Sequence, residues 1–93
     1  MPLTFEWDEE KAKTNAAKHG VRFEEAATVF ADRLSLTIPD PEHSQTEDRF
    51  VLFGKSHAGK LLVVCHTERG DNLRIISARR ASRRERKNYE EGS

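Results

Sequence analysis

Asn72-Leu-Arg-Ile-Ile-Ser-Ala-Arg-Arg-Ala-Ser-Arg-Arg-Glu-Arg-Lys-Asn-Tyr89 joins a run of strand character to the densest positive charge in the chain. Leu73, Ile75 and Ile76 are strand formers, whereas Ser82 followed three residues later by Glu85 is a capping box that opens a helix. The strand-to-helix junction therefore falls near Arg79 and Arg80. Helix dipoles favour acids in the first turn and bases in the last, yet Arg83 and Arg84 stand at the start and Glu90 and Glu91 at the end. Helix stability does not select that order. Clustered guanidinium groups do suit planar, bidentate capture of phosphate oxygens, so the junction is the candidate functional edge. A solvated basic helix is the competing reading.

The 93 residues fit one small domain, residues 1–93, with no room for a second core. A chain of this size buries only about 60–65% of the surface that its unfolded form exposes, so stability is modest and a partner matters. The net charge of zero hides an asymmetry. Residues 1–50 carry 11 acids and 6 bases, net −5; residues 51–93 carry 5 acids and 10 bases, net +5. The positive half attracts polyanions, and the acidic half meets a basic partner or keeps the chain in solution. Cys65 is alone, so no internal disulfide forms, which fits a reducing cytoplasm; within Leu61-Leu-Val-Val-Cys-His66 it reads as a small buried hydrophobe. Met1-Pro-Leu-Thr-Phe-Glu6 lacks the charged and apolar regions of a secretory leader, and no window approaches the ~20 apolar residues of a membrane helix. The expectation is a soluble cytoplasmic protein without membrane contact.

Outward from the junction, the remaining elements follow from periodicity. Leu3-Thr-Phe-Glu-Trp7 alternates as a short strand, Asp8 caps a helix through Lys18, and Gly20 stops it. Ala12, Ala16 and Ala17 are left to face the core. Lys11, Asn15, Lys18 and His19 form a polar stripe that either lines a site or is a plain exposed face. Phe23, Ala26, Ala27 and Phe30 mark the buried side of a second helix. Leu34, Leu36 and Ile38 alternate as a strand that ends at Pro39-Asp-Pro41, with a turn or single helical turn through His43. Ser44 with Glu47 is another possible cap, in a polar loop (His43, Glu47, Asp48, Arg49) without metal-ligand spacing. Phe50-Val-Leu-Phe53 and Leu61-Leu-Val-Val64 read as central strands joined by a hairpin, and Leu73–Ala78 as a third across the turn Glu68-Arg-Gly-Asp71. The order is strand, helix, helix, four strands, helix: an α+β fold with a mostly antiparallel sheet and helices packed on it.

Several chemistries lack support. There is no Gly-x-Ser-x-Gly elbow, no Cys pair, no nucleotide-binding glycine loop, and His19, His43, His57 and His66 do not recur at ligand spacing. What remains is Arg69, Arg74, Arg79, Arg80, Arg83, Arg84 and Arg86. Strict alternation puts Arg74 and Arg79 on opposite faces of the last strand, so both serve one site only if the strand twists or ends between them. Metal-free phosphodiester cleavage needs a base for a ribose 2′-OH, an acid for the leaving oxygen, and fixed positive charge at the phosphorane. Arginines meet the last need, and Glu68 or His66 are candidates for proton transfer.

The chain resembles the BrnT family of type II toxin–antitoxin toxins. The resemblance runs over nearly the whole chain, through Phe5-Glu-Trp-Asp8, Lys11, Asn15, Lys18-His-Gly-Val21, Phe23-Glu-Glu-Ala26, Asp48-Arg-Phe50, Glu68-Arg-Gly70, Arg74-Ile-Ile-Ser-Ala-Arg-Arg-Ala81, Glu85-Arg86 and Tyr89. Arg22 departs from it, standing where a capping Ser or Asp is expected. The resemblance implies a RelE-like fold and a cytoplasmic endoribonuclease that cleaves RNA without metal or other cofactor and arrests translation. It implies neutralisation by a BrnA-like ribbon-helix-helix antitoxin, with operator DNA contacted only through that complex. The implied catalytic residues are Arg74, Arg79 and Arg80, with Glu68 and Arg69 beside them. Lys11, Lys18, His19, Arg83 and Tyr89 are the implied RNA contacts or proton donors, and Trp7 is either core or a base-stacking platform. Two other functions fit the same scaffold: a ParE-like toxin that blocks a protein target, and a nucleic-acid-binding module without turnover.

Overall fold

The structure, a computed structural model, describes residues 3–43 and 46–91. Five strands form one sheet in the order β1-β5-β4-β3-β2: β1 is Thr4–Glu6, β2 Leu36–Pro39, β3 Arg49–Lys55, β4 Leu61–Arg69 and β5 Asn72–Arg80. The helices are α1 (Glu9–His19), α2 (Phe23–Thr28, extended by a 3₁₀ turn over Val29–Ala31) and α3 (Arg83–Glu91). The expected α+β class and element order hold. Strands β2 to β5 pair antiparallel, while β1 lies parallel to β5 with Thr4 opposite Asn72 and Glu6 opposite Arg74. Periodicity alone does not specify that placement.

Helix boundaries follow local chemistry. The Asp8 carboxylate accepts the Glu10 and Lys11 N–H groups at 2.8 and 3.2 Å, and Gly20, at φ 69°, ends α1 in the left-handed conformation that residues with a Cβ resist. Arg22 makes no side-chain cap on α2. Ser82 and Glu85 form the capping box: Glu85 N–H donates to Ser82 Oγ at 3.2 Å, and Ser82 N–H to Glu85 Oε1 at 2.8 Å. The possible cap by Ser44 lies outside the described residues. Pro41–His43 is a 3₁₀ turn, as Pro39-Asp-Pro41 indicated.

Helices α1 and α2 cover one face of the sheet. Val21, Phe23, Ala26 and Val29 meet Leu52, Leu62, Val64, Ile75 and Ala78, all nearly solvent-free, and each large aliphatic or aromatic member contributes about 1.5–3 kcal/mol by burial. Trp7 belongs to this side: its ring packs edge-on to Phe23 at 5.9 Å and its indole N–H reaches Glu9. Gly54 is tied to the packing, since a Cβ there would lie 2.8 Å from Val29 Cγ1 and 2.9 Å from Ser35 Cβ.

Three expectations change. Leu34 is exposed in a turn, where its N–H donates to Asp32 Oδ1, and β2 begins only at Leu36. Ala17 is exposed, whereas Asn15 is buried. That burial has a reason: β1 is too short to pair with β5 beyond Arg74, and Asn15 occupies the vacant edge. Its side chain donates to Ala78 O at 2.8 Å and Val21 O at 3.0 Å, and accepts from Ala78 N–H at 3.0 Å. One amide thus stands in for a missing strand residue.

Candidate active site

Across β4 and β5, Val63 stands opposite Arg79, Cys65 opposite Ser77, and Thr67 opposite Arg74. Between Cys65 and His66 the register slips, so that His66 pairs with Ile75 and Ile76 is an extra, bulged residue. The bulge reverses the parity of β5. Strict alternation separates Arg74 from Arg79, but their partners Thr67 and Val63 are four apart on β4 and share a side. Both arginines therefore stand on the face turned away from α1 and α2. They are not adjacent: four positions of strand separate them by roughly 13 Å.

Arg79 is held at the junction. Its Nη1 and Nη2 donate to the two Glu85 oxygens at 2.7 and 2.8 Å, and Nη1 also donates to Arg80 O at 3.3 Å. The Arg79 hydrogen bonds pull the Glu85 carboxyl down to about 2, helped by the Ser82 N–H, and the same pair raises the Arg79 pKa. A guanidinium has five N–H donors, so two remain, Nε–H and the second Nη2–H. These lie along one side of the plane, the geometry for a further bidentate pair of oxygens.

Beside Arg79 is a cavity of about 310 Å³, lined by Ile38, Val51, Phe53, Val63, Cys65, Ser77 and Glu85, with Asp40 and His43 at its rim. Cys65 is thus only partly buried rather than a core hydrophobe, and burial pushes its thiol pKa up, which keeps it protonated. Asp40 and His43 contact each other at 2.9 Å. The sequence places His43 in a polar loop and Asp40 in the turn that leads to it; the Asp-Pro start of a 3₁₀ turn is the available signal.

The other named residues are dispersed. Arg74 donates to Glu6 Oε2 at 2.9 Å, and Asn72 to Glu6 Oε1 at 3.2 Å; these two hydrogen bonds lower the Glu6 pKa. Arg69 lies 3.7 Å from Glu47 at the β4–β5 turn, and Glu68, opposite Leu73, is exposed on the helix-side register. Neither reaches the Arg79 cavity. Arg80, opposite Leu62, is on the other side from Arg79, and Arg83 is exposed in the first turn of α3. His66 is 4% exposed between the Phe30 and Phe50 rings, and desolvation lowers its pKa, so it is a neutral core side chain rather than a proton carrier. Tyr89 is also buried, its hydroxyl donating to Asp32 Oδ2 at 3.0 Å.

Lys11, Lys18 and His19 do come together. With Glu10, Thr14, Ile76 and Ser77 they line a second concavity of about 310 Å³ between α1 and β5, with Asn15 at its base. Ser77 borders both concavities, so the α1 groove and the Arg79 cavity share one residue of β5. Among the described residues no three His, Cys, Asp or Glu side chains converge as metal ligands.

The sequence model of a family described as the ribonuclease toxin BrnT of type II toxin–antitoxin systems matches residues 7–85. The 1.1 Å crystal structure of the Brucella abortus ribonuclease toxin BrnT is similar, with a TM-score of 0.69 and 26% sequence identity over 88% of this chain and 100% of that one. No curated protein sequence matches.

Proposed function

The chain belongs to the BrnT family of ribonuclease toxins of type II toxin–antitoxin systems, and on that premise we propose that it is a metal-independent endoribonuclease whose cleavage centre is the Arg79 cavity. Residues 1–93 act as one unit in the cytoplasm, cutting RNA and so arresting translation. A BrnA-like ribbon-helix-helix antitoxin neutralises it, and operator DNA is met only through that complex. The observation that carries the reading is the Arg79 guanidinium, fixed by two hydrogen bonds to Glu85 with one side of its plane unused, beside a cavity that shares Ser77 with a lysine-lined groove.

RNA lies along the groove of Lys11, Lys18 and His19, passes Ser77, and brings a phosphodiester to Arg79. There the free N–H pair holds the non-bridging oxygens and stabilises the charge that builds on the phosphorane. Arg74, about 13 Å along the same face, adds positive charge further along the RNA path. Arg69, Arg80 and Arg83 add to the field that draws RNA in, and Glu68 has at most an indirect part.

The test is cleavage of single-stranded RNA by purified protein, freed of antitoxin, in EDTA. The unaltered protein cuts, and Arg79→Ala, still folded, loses about two to three orders of magnitude in rate. Intact RNA with the unaltered protein would refute the assignment. Damaged DNA in dying cells with intact RNA would point to a blocked protein target, and salt-sensitive binding without turnover to a binding module.

A further inference from the structure

We infer that His43, oriented by Asp40, is the general base of the cleavage. The inference rests on the reading of the Arg79 cavity as the cleavage centre and adds the proton acceptor that arginines cannot supply. Three features place it. The Asp40 N–H donates to Arg49 O at 2.9 Å, which ties the start of the loop to the β2–β3 ladder. Pro41 then fixes the first φ of a 3₁₀ turn, and in a helix with three residues per turn side chains i and i+3 stand above one another. Asp40 and His43 therefore meet, with His43 Nδ1 2.9 Å from Asp40 Oδ2, the carboxylate 16% exposed and the imidazole 61%.

With the imidazole mostly in solvent, a pair of this kind does little for stability. Its location gives it a use: both residues border the cavity that holds Arg79. With Nδ1–H donated to the carboxylate, the lone pair stays on Nε2, the nitrogen away from Asp40. That is the tautomer a base requires, and the carboxylate supports the imidazolium that forms.

The step balances as follows. Nε2 takes the proton of the ribose 2′-OH while the 2′-oxygen bonds to phosphorus and the bond from phosphorus to the 5′-oxygen breaks. The 5′-oxygen takes a proton from water, and the imidazolium returns its proton to the hydroxide left behind. The products are a 2′,3′-cyclic phosphate and a 5′-hydroxyl, with no net change in protons. The charged or titratable groups around the imidazole are Asp40 and Glu42 on its own turn, Arg49 on β3, Cys65 on β4, Arg79 on β5 and Glu85 on α3. Of these only Asp40 is in contact with a ring nitrogen by a hydrogen bond.

The experiment compares His43→Ala, Asp40→Asn and Arg79→Ala with the unaltered protein on one single-stranded RNA in EDTA, with circular dichroism as the check on folding. His43→Ala loses about 10²–10⁴-fold in kcat, its pH–rate profile loses the acid limb, and added imidazole restores part of the rate. Asp40→Asn, which favours the other tautomer, lowers kcat without changing RNA affinity, and the products of the unaltered protein carry cyclic phosphate ends. A folded His43→Ala that keeps the unaltered rate and acid limb, while Arg79→Ala is inactive, overturns the role of His43 and leaves the nuclease assignment standing. If the unaltered protein fails to cut, both fall together.

Discussion

Arg79 and Glu85 face each other across the strand-to-helix junction, six residues apart, through two parallel hydrogen bonds of 2.7 and 2.8 Å. The same carboxylate caps α3 through the Ser82 N–H, so one side chain aligns the guanidinium and starts the helix. Glu85 titrates at about 2 rather than near 4.5. A depressed carboxyl pKa means the pair stabilises the fold above the unfolded value and that this is lost as pH falls toward 2. With the Arg79 side chain 44% exposed, screening holds the contribution to about 1 kcal/mol. Glu85→Gln keeps a capping acceptor but removes the charge. It is expected to cost about 1 kcal/mol at pH 7, to flatten the acid limb of stability between pH 4.5 and 2, and to tighten RNA binding. Urea titrations across that pH range check it; an unchanged acid limb would exclude the pair as its source.

Asn15 should be far less replaceable than its place on a lysine-rich helix suggests. Asn15→Ala leaves the Ala78 N–H and C=O without their partner and removes three buried hydrogen bonds. A loss of roughly 2–3 kcal/mol is expected in chemical denaturation. Asn15→Asp should cost more, because a carboxylate would then face the Val21 and Ala78 carbonyls. A change below about 0.5 kcal/mol for Asn15→Ala would mean that the edge of β5 does not depend on this amide.

The α1 groove is testable through salt. If Lys11 and Lys18 each neutralise one phosphate, replacing either with Ala should reduce the slope of log K against log salt by about 0.7, the value for single strands. The double variant should lose about twice that while remaining folded, since both lysines are exposed. An unchanged slope would remove the groove from the RNA path.

Tyr89 separates packing from catalysis. Its hydroxyl donates to Asp32 Oδ2, which also accepts the Lys55 N–H, and the ring is 6% exposed. Tyr89→Phe should lower stability by about 1 kcal/mol and leave RNA cleavage unchanged. Loss of cleavage with stability intact would return Tyr89 to the group of RNA contacts implied by the family resemblance.

What could be read from the chain was local. The Asp8 cap, the Gly20 stop, the Ser82–Glu85 box and the Phe23–Phe30 face each depend on residues within a few positions, and each is present. Asn15 was misplaced because its partner, Ala78, is 63 residues away and helical spacing cannot register it. That His43 and Arg79 border one cavity was equally hidden, since it depends on the loop after β2 lying over a face built from β3, β4 and β5. Arg74 and Arg79 seemed opposed because alternation was counted through Ile76, and an isoleucine gives no sign of a bulge. The junction does fall at Arg79 and Arg80, but the three arginines expected to gather there divide among an ion pair with Glu6 in mid-strand for Arg74, one with Glu85 for Arg79, and the reverse face for Arg80.

The unpaired residue at Ile76 makes handedness of presentation a matter of counting. Drawing that residue into the ladder opposite Cys65 would not shorten the arginine's reach by a few ångströms; it would turn Arg79 inward toward the helices and bring Arg80 out in its place, whereas deleting it would leave Arg79 opposite Val63 as before. Whether one residue stands in or out of the ladder therefore acts as an inversion, and a descendant whose strand ran straight through Ile76 would keep its fold while exchanging its working surface for its lining.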